Sequence, residues 1–152
     1  MIARQHDGYS LIEVLVTISI LGILLGSALV HYDPRREDIN TAQQAATGDL
    51  RAARVAAITS GRHVSVEVQA PYAWTVHRLE NVGGVWTPST DLKHVDLPTG
   101  LTVASTTAVA TVEFNTRGVM VNSDTPITIK LNDDFGAARI VTVWPSGEVQ
   151  PG

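Results

Sequence analysis

With 152 residues and a net charge of −4, the chain has room for one domain plus a helix and carries no positive excess that would draw nucleic acid. It contains no cysteine, which excludes disulfides and thiolate metal sites, so the fold has to rest on an apolar core.

The chain opens on a short polar leader, residues 1–8, in which Arg4 is offset by Asp7 and which ends in Gly8. Residues 14–30 then carry no charge, and their polar side chains are Thr17, Ser19 and Ser27. A helix over residues 9–32 would be roughly 36 Å long at 1.5 Å per residue, enough to cross a bilayer core of ~30 Å. One carboxylate, Glu13, lies inside the apolar stretch. At mid-bilayer an acid costs ~2.5 to 3.5 kcal/mol on insertion scales, so it needs a partner or a place near the interface. Glu13 stands near the helix start, where Ser10-Leu11-Ile12-Glu13 fits the S-x-x-E capping box and a carboxylate interacts favourably with the helix dipole. That local chemistry explains the helix and leaves the leader unexplained.

Gly8-Tyr9-Ser10-Leu11-Ile12-Glu13, followed by the apolar run, resembles the class III signal of type IV pilins and pseudopilins. The resemblance implies that a prepilin peptidase in the membrane cuts between Gly8 and Tyr9 and that the new amino terminus, on Tyr9, is methylated. It also implies a role for Glu13 in filament assembly. In a filament of parallel subunits the amino terminus of one chain lies in an apolar core, and a carboxylate about one helical turn from a neighbour's own terminus neutralises it. Desolvating both ions offsets much of the attraction, so the pair sets register more than it adds stability. Capping and assembly are compatible roles for one residue.

A secretory signal peptide is the competing reading. Gly26-Ser27-Ala28 has the small residues that a signal peptidase favours, and cleavage there would release a soluble exported binding domain beginning near Leu29. The weakly charged leader and a carboxylate inside the apolar run argue against it. Arg35 and Arg36 follow the run, so charge alone does not orient the helix, and the N-terminus-in orientation rests on the resemblance. Gly22 and Gly26 form a G-x-x-x-G pair, which suits close helix approach in lipid and also softens a helix; the sequence leaves both readings open.

Asp33-Pro34 should kink or interrupt the helix. A second helical segment, within residues 33–61, follows from Ile39, Ala42, Ala46, Leu50, Ala53 and Ala57 on one face, with Gly61 as its stop. Arg51 and Arg54 are expected on the solvated side, balanced by Glu37, Asp38 and Asp49. From His63 to Gln69 the period becomes two, as in a half-buried strand. Further strands are expected at 73–79, 101–104, 111–114, 127–131 and 139–144. Turns are expected at Pro71, at residues 81–84 and at residues 132–136, and residues 88–96 read as a connection without period. The fold class that follows is α+β, a long N-terminal transmembrane helix packed on a small antiparallel β-sheet head domain, residues 62–152, which the resemblance above implies is a pilin-like fold.

A looser resemblance covers the rest of the chain. Asp49-Leu50-Arg51-Ala52-Ala53-Arg54 with Ala57-Ile58 and Gly61, then Phe114-Asn115-Thr116-Arg117-Gly118, then residues 140–143 with Gly147-Glu148-Val149, is similar to the pseudopilin group called GspH/FimT. This implies a minor pseudopilin near the tip of a short filament, in a type II secretion system or a related type IV pilus. Other pilins or pseudopilins, prepilin peptidase and the bacterial inner membrane are its implied partners, with the C-terminal domain in the periplasm. Gly118 and Gly147 suit tight turns whether or not a partner is present.

Enzyme chemistry finds no support. The five histidines, His6, His31, His63, His77 and His94, have no ligand spacing, no nucleophile elbow is present, and His63 and His77 are expected at strand surfaces. No cofactor or metal is expected: Asn122-Ser123-Asp124 and Asn132-Asp133-Asp134 do not match a calcium loop and read as turns. The alternative function is a FimT-like minor pilin that binds DNA for uptake. The tail, residues 144–152, has one acid and no base, which argues against DNA.

Overall fold

The structure, a computed structural model, describes residues 10–31, 34–105 and 110–152, with side chains described on all of these except 28–31 and 34–37. It divides after Pro34 into two units.

In the first unit, α1 runs Leu11–His31. The Ser10 carbonyl accepts the amides of Glu13 (2.9 Å) and Val14 (3.2 Å), opening the helix. Each polar side chain of the run turns back on its own helix: Thr17 Oγ1 donates to the Glu13 carbonyl (2.6 Å), Ser19 to Leu15 (2.8 Å) and Ser27 to Leu24 (2.9 Å). The outer surface of α1 is therefore apolar nearly all round. Among the described residues no helix is long and apolar enough to cross a membrane; the span expected over residues 9–32 has both ends, Tyr9 and Tyr32, outside them.

The second unit opens with α2, Pro34–Ser60, whose first residue is the last of the first unit. Proline at the first helical position has no amide to lose and a suitable φ, so Pro34 starts this helix. The stripe Ile39, Ala42, Ala46, Leu50, Ala53 and Ala57 is buried, as its spacing predicts, and Gly61 adopts φ +62° just past the last turn.

Eight strands follow: β1 Val64–Gln69, β2 Ala73–Val82, β3 Val85–Asp96, β4 Leu101–Ser105, β5 Thr111–Phe114, β6 Ile127–Asp133, β7 Ala138–Val143 and β8 Val149–Pro151. They form two antiparallel four-stranded sheets, ordered β3-β2-β1-β5 and β4-β6-β7-β8. Ala46 and Leu50 of α2 meet Val66, Val68 and Trp74 of the first sheet and Val103 and Ile129 of the second, so one helix face closes one core over both sheets.

Residues 88–96 correct the sequence reading, since they belong to the long strand β3. β3 is a sheet edge whose residues are almost all exposed, so it has no buried face to impress a period of two, and it tolerates Pro88. The preceding turn is also tighter than expected: Asn81 and Val82 stay in β2, Val82 pairs with Val85, and Gly83 and Gly84 take φ +63° and +91° as a two-residue hairpin requires.

Candidate functional site

The sequence places its functional residues at the N-terminus. Gly8 and Tyr9 lie outside the described residues. Glu13 is in the first turn of α1, exposed, and its carboxylate makes no hydrogen bond or ion pair with any described residue. Its neighbours Leu11, Ile12, Val14 and Leu15 are exposed as well. A carboxylate in a first turn interacts favourably with the helix dipole, and on an apolar helix surface it has room to accept a cation from outside.

The head carries the second group of residues that the sequence singled out. Arg54 reaches from α2 to two turns, donating from Nε to the Gly118 carbonyl (3.0 Å) and from Nη2 to that of Ser146 (3.5 Å). The turns touch each other, so that a Cβ on Gly147 would fall 1.8 Å from the Gly118 oxygen and one on Gly118 would fall 2.7 Å from Ile58 Cδ1. Both glycines also hold positive φ, +73° and +79°. Close approach as well as turn geometry excludes a side chain here. Arg51 donates to the Val149 carbonyl (3.1 Å). The two arginines thus tie the ends of both sheets to the helix: Arg51 is exposed, as expected, but Arg54 is half-buried, and neither is balanced by a described acid as the sequence reading had it.

Asp49 has other work. It is buried, accepts the Trp74 indole N–H (3.0 Å) and pairs with Lys93 Nζ (2.6 Å), fastening α2 to β2 and to the edge strand β3. The histidines are corrected too. His77 is buried at 8% exposure, with Nδ1 2.7 Å from Asp91 and Nε2 3.3 Å from Glu67, while His63 stacks on Trp86 at 3.9 Å and lies 2.6 Å from Glu113. Alternation along one strand could not show this, because the covering groups come from β1, β3 and β5. His94 sits 2.7 Å from Thr75 Oγ1.

The Asn/Asp clusters shape the backbone. Asp133 Oδ1 accepts the amides of Phe135 (3.0 Å) and Ala137 (2.7 Å), and Asn122 bonds Glu113 N (3.1 Å) and the Thr111 carbonyl. Among the described residues no group of three His, Asp or Glu side chains converges as metal ligands would.

Comparison with known proteins agrees with this division. A family model described as "Type II transport protein GspH" matches residues 42–147, and the "Prokaryotic N-terminal methylation motif" matches residues 3–29. Among solved structures, the type IV minor pilin FimU of Pseudomonas aeruginosa is similar at TM-score 0.64 and 19% identity, over 78% of this chain and 90% of that one. The minor pseudopilin EpsH from the Type 2 Secretion System of Vibrio cholerae is similar at TM-score 0.60 and 18% identity, over 76% and 96%. At such identities the likeness concerns the fold. No curated protein matches the sequence. The family model covers well over half the chain and the methylation motif covers its N-terminus: the chain belongs to the GspH family of minor pseudopilins, structural proteins of type II secretion rather than enzymes.

Proposed function

We propose that the chain is made as a prepilin with leader 1–8, that prepilin peptidase cuts between Gly8 and Tyr9, and that the amino group of Tyr9 is then methylated. Residues 9–32 cross the inner membrane once, residues 33–61 lead into the periplasm, and residues 62–152 form the head carried there. Glu13 neutralises the amino terminus of an adjacent subunit as the chain enters a periplasmic pseudopilus.

The observation that carries this reading is the state of Glu13, an exposed carboxylate on an otherwise apolar helix surface with no described partner. In a filament core the low dielectric makes the two ions select one register. A related type IV pilus is the second reading of the filament, supported by likeness to FimU as well as to EpsH.

The test is substitution of Glu13 by leucine and by alanine in cells that carry the whole machine. Both variants should still insert in the membrane and lose their cross-links to other subunits. Normal incorporation of either one removes the role assigned to Glu13.

A further inference from the structure

The face of the first sheet turned away from α2 collects histidines. Strand register sets His77 of β2 between Ser65 of β1 and Asp91 of β3, with Glu113 of β5 beyond Ser65 in the same row. Among the described residues, the carboxylates here take histidines as ion-pair partners: Glu113 has His63, Glu67 and Asp91 both have His77, and Asp96 has His94. Lysine meets acid on the core side instead, where Lys93 pairs with Asp49. Pairing on the histidine face therefore depends on protons.

His77 is the enclosed member, with a side chain only 10% exposed. Its Nδ1 lies 2.7 Å from Asp91 Oδ1, within a hydrogen bond. Its Nε2 is buried and makes no hydrogen bond, although Glu67 Oε2 stands 3.3 Å away. A neutral imidazole has a single N–H, so when that N–H serves Asp91 the lone pair on Nε2 faces a carboxylate oxygen with no proton between them. With a second proton both nitrogens donate, and both carboxylates are served. His63 and His94 differ, since each has one carboxylate partner and a second neighbour without charge, Trp86 for His63 and Thr75 for His94.

The edge strand is thinly held where Asp91 lies. Val76 pairs with Lys93 and His77 with Asp91, which leaves Leu92 out of register; Arg78 pairs with Thr90 and Leu79 with Pro88, which leaves out Ser89. Bulges interrupt the ladder, and Pro88 has no amide to add to it. Side-chain bridges then carry part of the hold on this stretch.

We propose that His77 is a proton-operated clasp for the edge strand: with its second proton it donates from Nδ1 to Asp91 and from Nε2 to Glu67, joining β3, β2 and β1, and without it the ring keeps one carboxylate and the edge opens more readily. Because the joined form holds one proton more than the loosened form, the clasp is tight on the acid side of the histidine's titration and slack on the alkaline side. It belongs to the head and does not depend on which filament carries the chain.

Hydrogen exchange of the full chain in detergent would be followed at about pH 5.5 and about pH 8, on either side of the range in which imidazoles change charge. Protection at residues 89–93, corrected for intrinsic exchange rates and referred to β6, an inner strand of the other sheet, is the readout. It is expected to fall about threefold from the lower to the higher pH, which is what a part-exposed ion pair contributes. Glu67→Gln and His77→Gln should each remove that difference, and nitrogen NMR should find both ring nitrogens of His77 protonated at the lower pH. Equal protection at the two pH values overturns the clasp, as does a His77 ring with one protonated nitrogen at the lower pH. A difference that survives in Glu67→Gln overturns it too, because Asp91 or another histidine would then account for it. Should His77→Gln fail to fold, Glu67→Gln still decides, since the Glu67 side chain is half exposed and removable without opening the core.

Discussion

The two helices of this chain have opposite relations to their surroundings. α1, with 21 residues, exposes Leu11, Ile12, Leu15, Ile18, Ile23 and Leu25 by more than half their surface, while α2, with 27, buries Ile39, Leu50, Ala53 and Ala57 almost completely. Apolar residues spread round a helix need an apolar medium or other helices, whereas an apolar stripe needs one covering face. α1 therefore depends on what lies outside the chain, and α2 on the head that the same chain supplies. Glu13 belongs to the first kind of dependence and Asp49, sealed between Trp74 and Lys93, to the second.

The sharpest separation of the two should come from Glu13→Leu, which is expected to abolish incorporation into filaments while leaving head stability unchanged. Urea unfolding of the detergent-solubilised chain, followed by tryptophan fluorescence, would measure the latter. By the same readout Leu50→Ala should cost about 2 to 5 kcal/mol, the range for truncating a buried leucine, while Leu21→Ala in α1 should stay within about 0.5 kcal/mol. Equal losses from the two would abolish the distinction. Gly147→Ala should destabilise the head by at least about 1 to 3 kcal/mol from backbone strain, before the clash with the Gly118 oxygen is added. Asp49→Ala leaves the Trp74 indole without its acceptor and should cost about 1 to 3 kcal/mol. The smallest effect, within about 0.5 kcal/mol, is expected of Thr90→Ala on the exposed edge strand β3.

What the sequence disclosed follows the same physics. The stripe from Ile39 to Ala57, the stop at Gly61 and the alternation of Val64, Val66 and Val68 were legible because an apolar face turned to the core leaves a period behind, although β1 is covered on its other face as well, where Ser65 is buried. β3 was not, because an edge strand exposed on both faces leaves none. The partners of the arginines and the burial of His77 were missed for another reason. Helical spacing showed Arg51 and Arg54 off the buried stripe, but their partners, the carbonyls of Val149, Gly118 and Ser146, come from far along the chain. His77 likewise is covered by groups that only strand pairing brings near. Of the N-terminal residues, the motif from Gly8 to Glu13 was read as a pattern of residue types, and its chemistry requires a peptidase and a neighbouring subunit that no single chain contains.

Intact-mass and N-terminal peptide mass spectrometry on the protein from its own membranes tests the central claim most directly. An N-methylated chain beginning at Tyr9 is the predicted result. A chain beginning near Leu29 would contradict it, for the head would then be a released domain, and the roles of Gly8, Tyr9 and Glu13 would fall together.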